Sequence, residues 1–113
     1  MTSFNRISKY RIMWLMVFFD LPTTTKKEKK RASSFRKRLI KQGFSMLQYS
    51  IYIRHSSSRE NSEVHMKRVR MCIPPAGEVA MLQITDKQFG TMAIFRKQSL
   101  VELPSAGKQL EMF

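Results

Sequence analysis

The chain has 113 residues, enough for one domain built round a single core. Lysine and arginine outnumber aspartate and glutamate by 21 to 8, and the resulting net charge of +13 points to a polyanionic partner, nucleic acid before an anionic membrane. The single cysteine, Cys72, excludes an internal disulfide framework and a zinc cluster, and fits a reducing cytoplasm.

Residues 1–10 are polar and basic and read as an N-terminal arm. An unbroken apolar run, Ile12 to Phe19, follows and ends on Asp20-Leu21-Pro22. It is too short to span a membrane, and no small-residue cleavage site follows it, so neither a membrane anchor nor a signal peptide is expected. Both of its faces are apolar, which predicts a strand buried centrally in a sheet. Val17, Phe18 and Phe19 favour a strand over a short buried helix, and Pro22 stops it. Asp20 then stands at the carboxyl end of a central strand, where open α/β sheets commonly bind ligands; its other reading is a cap on the turn before Pro22.

Thr25-Lys26-Lys27-Glu28 has capping-box form and predicts a helix running to about Gln42, with Gly43 as its stop. Ala32, Phe35 and Leu39 make its buried stripe, with Ile40 beside them. Lys26, Lys27, Lys29, Lys30, Arg31, Arg36, Lys37, Arg38 and Lys41 cover the rest, opposed only by Glu28. Mixed charge would read as a solvated face. Like charges repel along a helix, so this imbalance reads as contact with phosphates. Phe44 to Arg54 is the next strand region. Tyr49, Ile51 and Ile53 alternate there with Ser50, Tyr52 and Arg54, and the phase breaks near Gln48-Tyr49, so a bulge or two short strands are expected.

His55 to Ser58 reads as a loop, with Ser57 or Ser58 capping a second helix from about Arg59 to Cys72. Met66, Val69, Cys72 and Ile73 would face inward; Lys67, Arg68 and Arg70 would face outward. Pro74-Pro75-Ala76-Gly77 breaks the chain, and Glu78 to Thr85 is a third strand region, apolar enough to be internal. Asp86 to Gly90 is a turn or one helical turn, and Met92 to Arg96 a short edge strand. Leu100-Val101 and Leu110 to Phe113 make an apolar tail suited to adding a strand to a sheet edge, its own or that of a second copy.

The order is β-α-β-β-α-β, the pattern of an α+β, ferredoxin-like antiparallel sheet, with an added C-terminal strand. Residues 1–10 form the arm, 11–96 the domain and 97–113 the extension. Both helices would cover one face of the sheet. The chain has little left to cover the other, so a homodimer packed through the sheets is expected.

The chain resembles the CRISPR-associated protein 2 family, the small adaptation protein of bacterial CRISPR systems. The resemblance rests on Leu15 to Pro22, the basic helix behind it, Gly43-Phe44 with Gln48-Tyr49-Ser50-Ile51-Tyr52, Pro74-Pro75-x-Gly77 and Ile84 to Phe89. The last two stretches are similar to members from the type II systems, which use a single large effector nuclease. The resemblance implies a dimer with metal-dependent endonuclease activity and a role in spacer acquisition. It also implies a partner, the CRISPR-associated integrase (adaptation protein 1), with the dimer as the scaffold holding duplex DNA. The family's metal-binding aspartate falls on Asp20.

The residues read by themselves agree. Asp20 and Asp86 are the chain's only aspartates, and Asp20 alone ends a buried strand. Two copies of Asp20 across a two-fold axis, completed by water and phosphate oxygens, would suit Mg²⁺, which could orient water for phosphodiester hydrolysis. Neither His55 nor His65 is placed as a base. Arg11, Lys26, Lys27, Lys30, Arg31, Arg36, Lys37, Arg38 and Arg54 are the candidate nucleic-acid contacts, made to the backbone without reading bases. Three functions follow: a duplex DNA scaffold without catalysis, a Mg²⁺-dependent nuclease centred on Asp20, and a single-stranded RNA-binding module of the same fold. The last lacks the exposed aromatic run that such modules carry.

Overall fold

β1 (Met13–Asp20) is hydrogen-bonded on both edges, as its apolar run predicts. A computed structural model describes residues 11–105; the N-terminal arm and the Leu110–Phe113 patch lie outside the described residues. After β1 come α1 (Lys26–Lys41), β2 (Ser45–Gln48), β3 (Ile51–Ser56), α2 (Arg59–Arg70), β4 (Glu78–Thr85), α3 (Asp86–Phe89), β5 (Ile94–Arg96) and β6 (Ser99–Val101). The main sheet has the order β2-β3-β1-β4 with every pair antiparallel, the ferredoxin-like α+β arrangement.

Local signals place the helices. Thr25 caps α1 with a complete capping box closed by Glu28, and Gly43 leaves it with φ +88°. Ser58, not Ser57, caps α2, accepting from the Asn61 amide at 3.1 Å. Thr85 and Gln88 form a second capping box on α3. The phase break near Gln48-Tyr49 is a bulge between Met46 and Gln48, and β2 and β3 are separate strands.

Alternation along β1 builds two cores. Leu15, Val17 and Phe19 pack with Phe35, Leu39, Phe44, Tyr52 and Val69 beneath the long helices. Ile12, Trp14 and Met16 pack with Ile53 and Phe89 on the other face. Phe89 stacks on Trp14 at 4.2 Å between ring centroids, and the indole Nε1 donates to Asp86 Oδ1 at 2.7 Å. Burying each large apolar side chain contributes about 1.5–3 kcal/mol, so Trp14 and Phe89 are main anchors of this second core.

Five expectations change. β4 is an edge strand, not an internal one, since only β1 pairs with it in the main sheet; Val79 and Met81 pack against the helix-side core while Ala80 and Leu82 on the other face stay exposed. β3 runs through His55 to Ser56, since pairing with Trp14 and Met13 carries the strand past the supposed loop, and His55 packs edge-on against Trp14 at 5.4 Å. Ile40 is 58% exposed because it turns off the Ala32-Phe35-Leu39 stripe. α2 ends at Arg70, so Ile73 lies beyond it and is exposed, while Ser62 and His65 join Val69 on the buried face. The chain also supplies some cover for the second face: Phe89, Met92 and Leu103 pack there.

The extension's strand pairs with β5 in a separate two-stranded sheet. Lys97 and Gln98, with φ of 53° and 67°, reverse the chain within two residues.

Candidate functional site

Asp20 is the last residue of β1 and is exposed. Alternation puts it on the face of Trp14, Met16 and Phe18, away from the long helices. It opens onto a groove of about 550 Å³ lined by Phe18, Phe19, Asp20, Ser50, Ile51, Glu78, Val79 and Ala80. The half of the face near Trp14 is closed by Phe89, Met92 and Leu103, whereas the half leading to Asp20 keeps Ala80 and Leu82 exposed.

The register adds a residue that reading the sequence missed. Glu78 is the cross-strand partner of Asp20 and also lines the groove. Like charges directly opposite on a sheet repel, and a cation between them relieves that. The strand order carries it: the start of β4 lies beside the end of β1. Gly77, just before it, has φ +100°, and a Cβ there would stand 2.7 Å from the Asp20 carbonyl oxygen. Only glycine lets the Pro-Pro-x-Gly break pass so close to Asp20.

Among the described residues no group of three His, Cys, Asp or Glu could hold a metal ion. Mg²⁺ needs less from a protein, since one or two carboxylates with water and substrate phosphate suffice. Asp20 and Glu78 fit that requirement, on a groove open to an incoming phosphate. Asp86 is engaged by Trp14 and takes no part.

The candidate cations divide by place. On α1, Lys26, Lys30, Lys37 and Lys41 recur at helical spacing and make a stripe about 22 Å long, with Lys27, Arg31 and Arg38 alongside. All of these are exposed. Glu28, the sole acid of the helix, is held below the ordinary carboxylate range, chiefly by the Thr25 backbone N–H. Arg38 also lines a groove of about 420 Å³ with Lys41, Gln42, Arg68, Met71 and Cys72. Arg11 is exposed at the far end of β1 from Asp20.

Arg36 and Arg54 differ from the rest. The Arg36 guanidinium lies over the Tyr49 ring at 4.0 Å and over the Phe19 ring at 5.3 Å. Arg54 sits across from Leu15 on the helix-facing side of β3, half-buried, and donates to the carbonyl of Gln42 at the end of α1. Burial, and then Arg68, lowers its pKa.

The family model described as CRISPR associated protein Cas2 matches residues 13–92. The chain is 54% identical over 110 residues to a CRISPR-associated endoribonuclease Cas2 of Flavobacterium psychrophilum, covering 97% of this chain and 96% of that one. It is 46% identical over 104 residues to the protein of the same description in Parvibaculum lavamentivorans, covering 89% of this chain and 100% of that one. A third such relative, in Paracidovorax avenae, is 36% identical over 107 residues, covering 95% of this chain and 99% of that one.

Proposed function

The chain belongs to the CRISPR-associated Cas2 family, and on that premise we propose that it serves CRISPR adaptation in the cytoplasm. In this reading it is a homodimeric scaffold that holds duplex DNA and docks the CRISPR-associated integrase, with Mg²⁺-dependent phosphodiester hydrolysis at Asp20. The observation that carries the reading is the position of Asp20. It is exposed at the end of the central strand, on the half-open apolar face, six residues before the basic helix begins at Lys26.

Each part has a physical task. The lysine stripe of α1 neutralises backbone phosphates, which gives affinity without sequence preference and suits a protein that accepts any foreign duplex. Phe18, Ala80 and Leu82 offer apolar surface for a second copy, whose own Asp20 would then face the first. Asp20, with Glu78 beside it, would hold the metal and aim its lone pairs at the groove. The bound ion would supply Lewis-acid charge stabilisation and an activated water.

A second reading is cleavage of RNA, favoured by the description of the relatives as endoribonucleases. One experiment separates the readings. Wild type and Asp20→Ala are compared for binding and cutting of duplex DNA and single-stranded RNA, with Mg²⁺ or with EDTA. The expected result is cutting by wild type that EDTA abolishes, with Asp20→Ala binding normally and cutting nothing. Binding of duplex by both proteins with cleavage by neither would remove the hydrolytic step and leave the scaffold. Failure of wild type to bind either nucleic acid at low salt would overturn the nucleic-acid reading.

A further inference from the structure

We infer that Tyr49, propped on Arg36, is a stacking platform for an unpaired nucleobase at the Asp20 end of the sheet. This rests on the nucleic-acid reading above and narrows it to substrates with a single-stranded segment next to the bound strand.

Tyr49 occupies the turn between β2 and β3 and is 70% exposed. An exposed turn tyrosine is ordinary when its ring is loose, but this ring is held. The Arg36 guanidinium stacks beneath it at 4.0 Å, with the Phe19 ring on the same guanidinium at 5.3 Å. Arg36 Nε also donates to the Tyr49 carbonyl at 3.5 Å. Tyr49, Arg36 and Phe19 thus form a ladder rooted in the core, since Phe19 is buried and meets Phe35 edge-on at 5.2 Å. A flat ring fixed in advance loses little entropy on binding.

Its location gives the ladder a use. Ser50, the next residue, lines the groove, and its carbonyl accepts from the Phe19 amide at 3.0 Å. The registered pairing of Phe18 with Ile51 therefore continues through Phe19 and Ser50, which brings Tyr49 to the same end of the sheet as Asp20. Ser50, which lines the groove, directly follows Tyr49, so a strand with a phosphate at Ser50 has this ring one residue away. Bases inside a duplex have both faces covered by their neighbours, so along a bound strand the ring stacks on an unpaired one. The cation beneath the ring adds favourable charge toward the nearby phosphates.

The test uses a blunt DNA duplex and the same duplex with a short single-stranded tail carrying 2-aminopurine at its first unpaired position, titrated in EDTA. Wild type, Tyr49→Ala and Tyr49→Phe are compared. Wild type and Tyr49→Phe should alter the 2-aminopurine fluorescence and bind the tailed duplex more tightly than the blunt one. Tyr49→Ala should lose the fluorescence change and bind the tailed duplex roughly 5- to 100-fold more weakly, the range of one base–aromatic stack. Its affinity for the blunt duplex should not move. Unaltered fluorescence on a tailed duplex that wild type binds, or equal loss on both duplexes, overturns the platform while leaving the scaffold standing. Absence of binding by wild type overturns the nucleic-acid reading, and the platform with it.

Discussion

His65 lies on the inner face of α2, 6% exposed, with Arg54 and Arg68 as its charged neighbours and no hydrogen bond to Nδ1. Burial first, then Arg54 and Arg68, hold its pKa below 6.5. The unfolded chain therefore takes up the proton more readily than the folded one. The stability linked to this group is present above the unfolded pKa and is lost as pH falls through the folded value. We expect Tm to drop as pH falls below the ordinary histidine pKa of about 6.5 and to drop less in His65→Gln. Replacing the exposed Arg68 with glutamine should raise the pKa of His65 toward its ordinary value in an NMR titration. A pKa that does not move would mean that burial and Arg54 set it without Arg68. Gly77 makes a second prediction at this scale. A methyl group there would meet the Asp20 carbonyl oxygen at 2.7 Å and the Leu21 Cα at 3.1 Å, both backbone atoms that cannot step aside. The φ of +100° adds strain. Gly77→Ala should cost more than about 1 kcal/mol in denaturant unfolding and should also weaken the proposed Mg²⁺-dependent cleavage, because the backbone that moves carries Asp20.

At the scale of elements, α1 is where charge becomes measurable. If its lysine stripe meets phosphates, each lysine made neutral should lower the slope of log K against log salt by about 0.9 for duplex DNA. The triple substitution of Lys30, Lys37 and Lys41 to glutamine should therefore flatten the slope by nearly three. These side chains are exposed, so Tm should change little. Equal slopes for variant and wild type would assign the stripe to a protein partner instead. The same helix was legible from sequence, since capping box, apolar stripe and terminal glycine all act locally. β4 was not. Its run of apolar residues reads as an internal strand, yet the order β2-β3-β1-β4 leaves it paired on one edge only, and that order depends on contacts between distant segments. Arg54 illustrates the same gap: its alternation with Tyr49, Ile51 and Ile53 gave the right faces but not which face meets the helices. The place of Asp20 at the end of β1 was legible because an apolar run closed by an acid and Pro22 marks a strand's end. Glu78 and Tyr49 were not, because both depend on pairings between distant segments. The Lys97-Gln98 turn also escaped the sequence, since neither residue favours positive φ, and Asn or Gly would be expected there.

For the whole molecule the open question is what covers the rest of the second face. α3 and the segment through Leu103 shield the Trp14 end, and the Asp20 end is left with Phe18 half-buried, Ala80 exposed and Leu82 at 47%. Met16, the partner of Leu82 in register, is buried, so the gap is bounded and Leu82 stands at its margin. A second copy related by a two-fold axis would meet like with like there, and a stable interface needs about 800 Å² from each partner. Charge opposes it: each chain carries +13, so association should tighten as salt screens the repulsion and again when duplex DNA is added. Leu82→Lys puts a further cation at the margin without removing a buried side chain. It should leave the far-UV circular dichroism and Tm near wild type while shifting sedimentation equilibrium from dimer to monomer. If dimerisation brings the two Asp20 carboxylates together, this variant should also lose Mg²⁺-dependent cleavage although Asp20 is untouched. A monomeric variant that still cuts would break the link between dimer and metal, and the Asp20–Glu78 pair within one chain would then have to hold the ion alone. Wild type that sediments as a monomer at tens of micromolar and high salt would remove the paired-Asp20 site altogether. The apolar margin round Leu82 would then be left to the integrase.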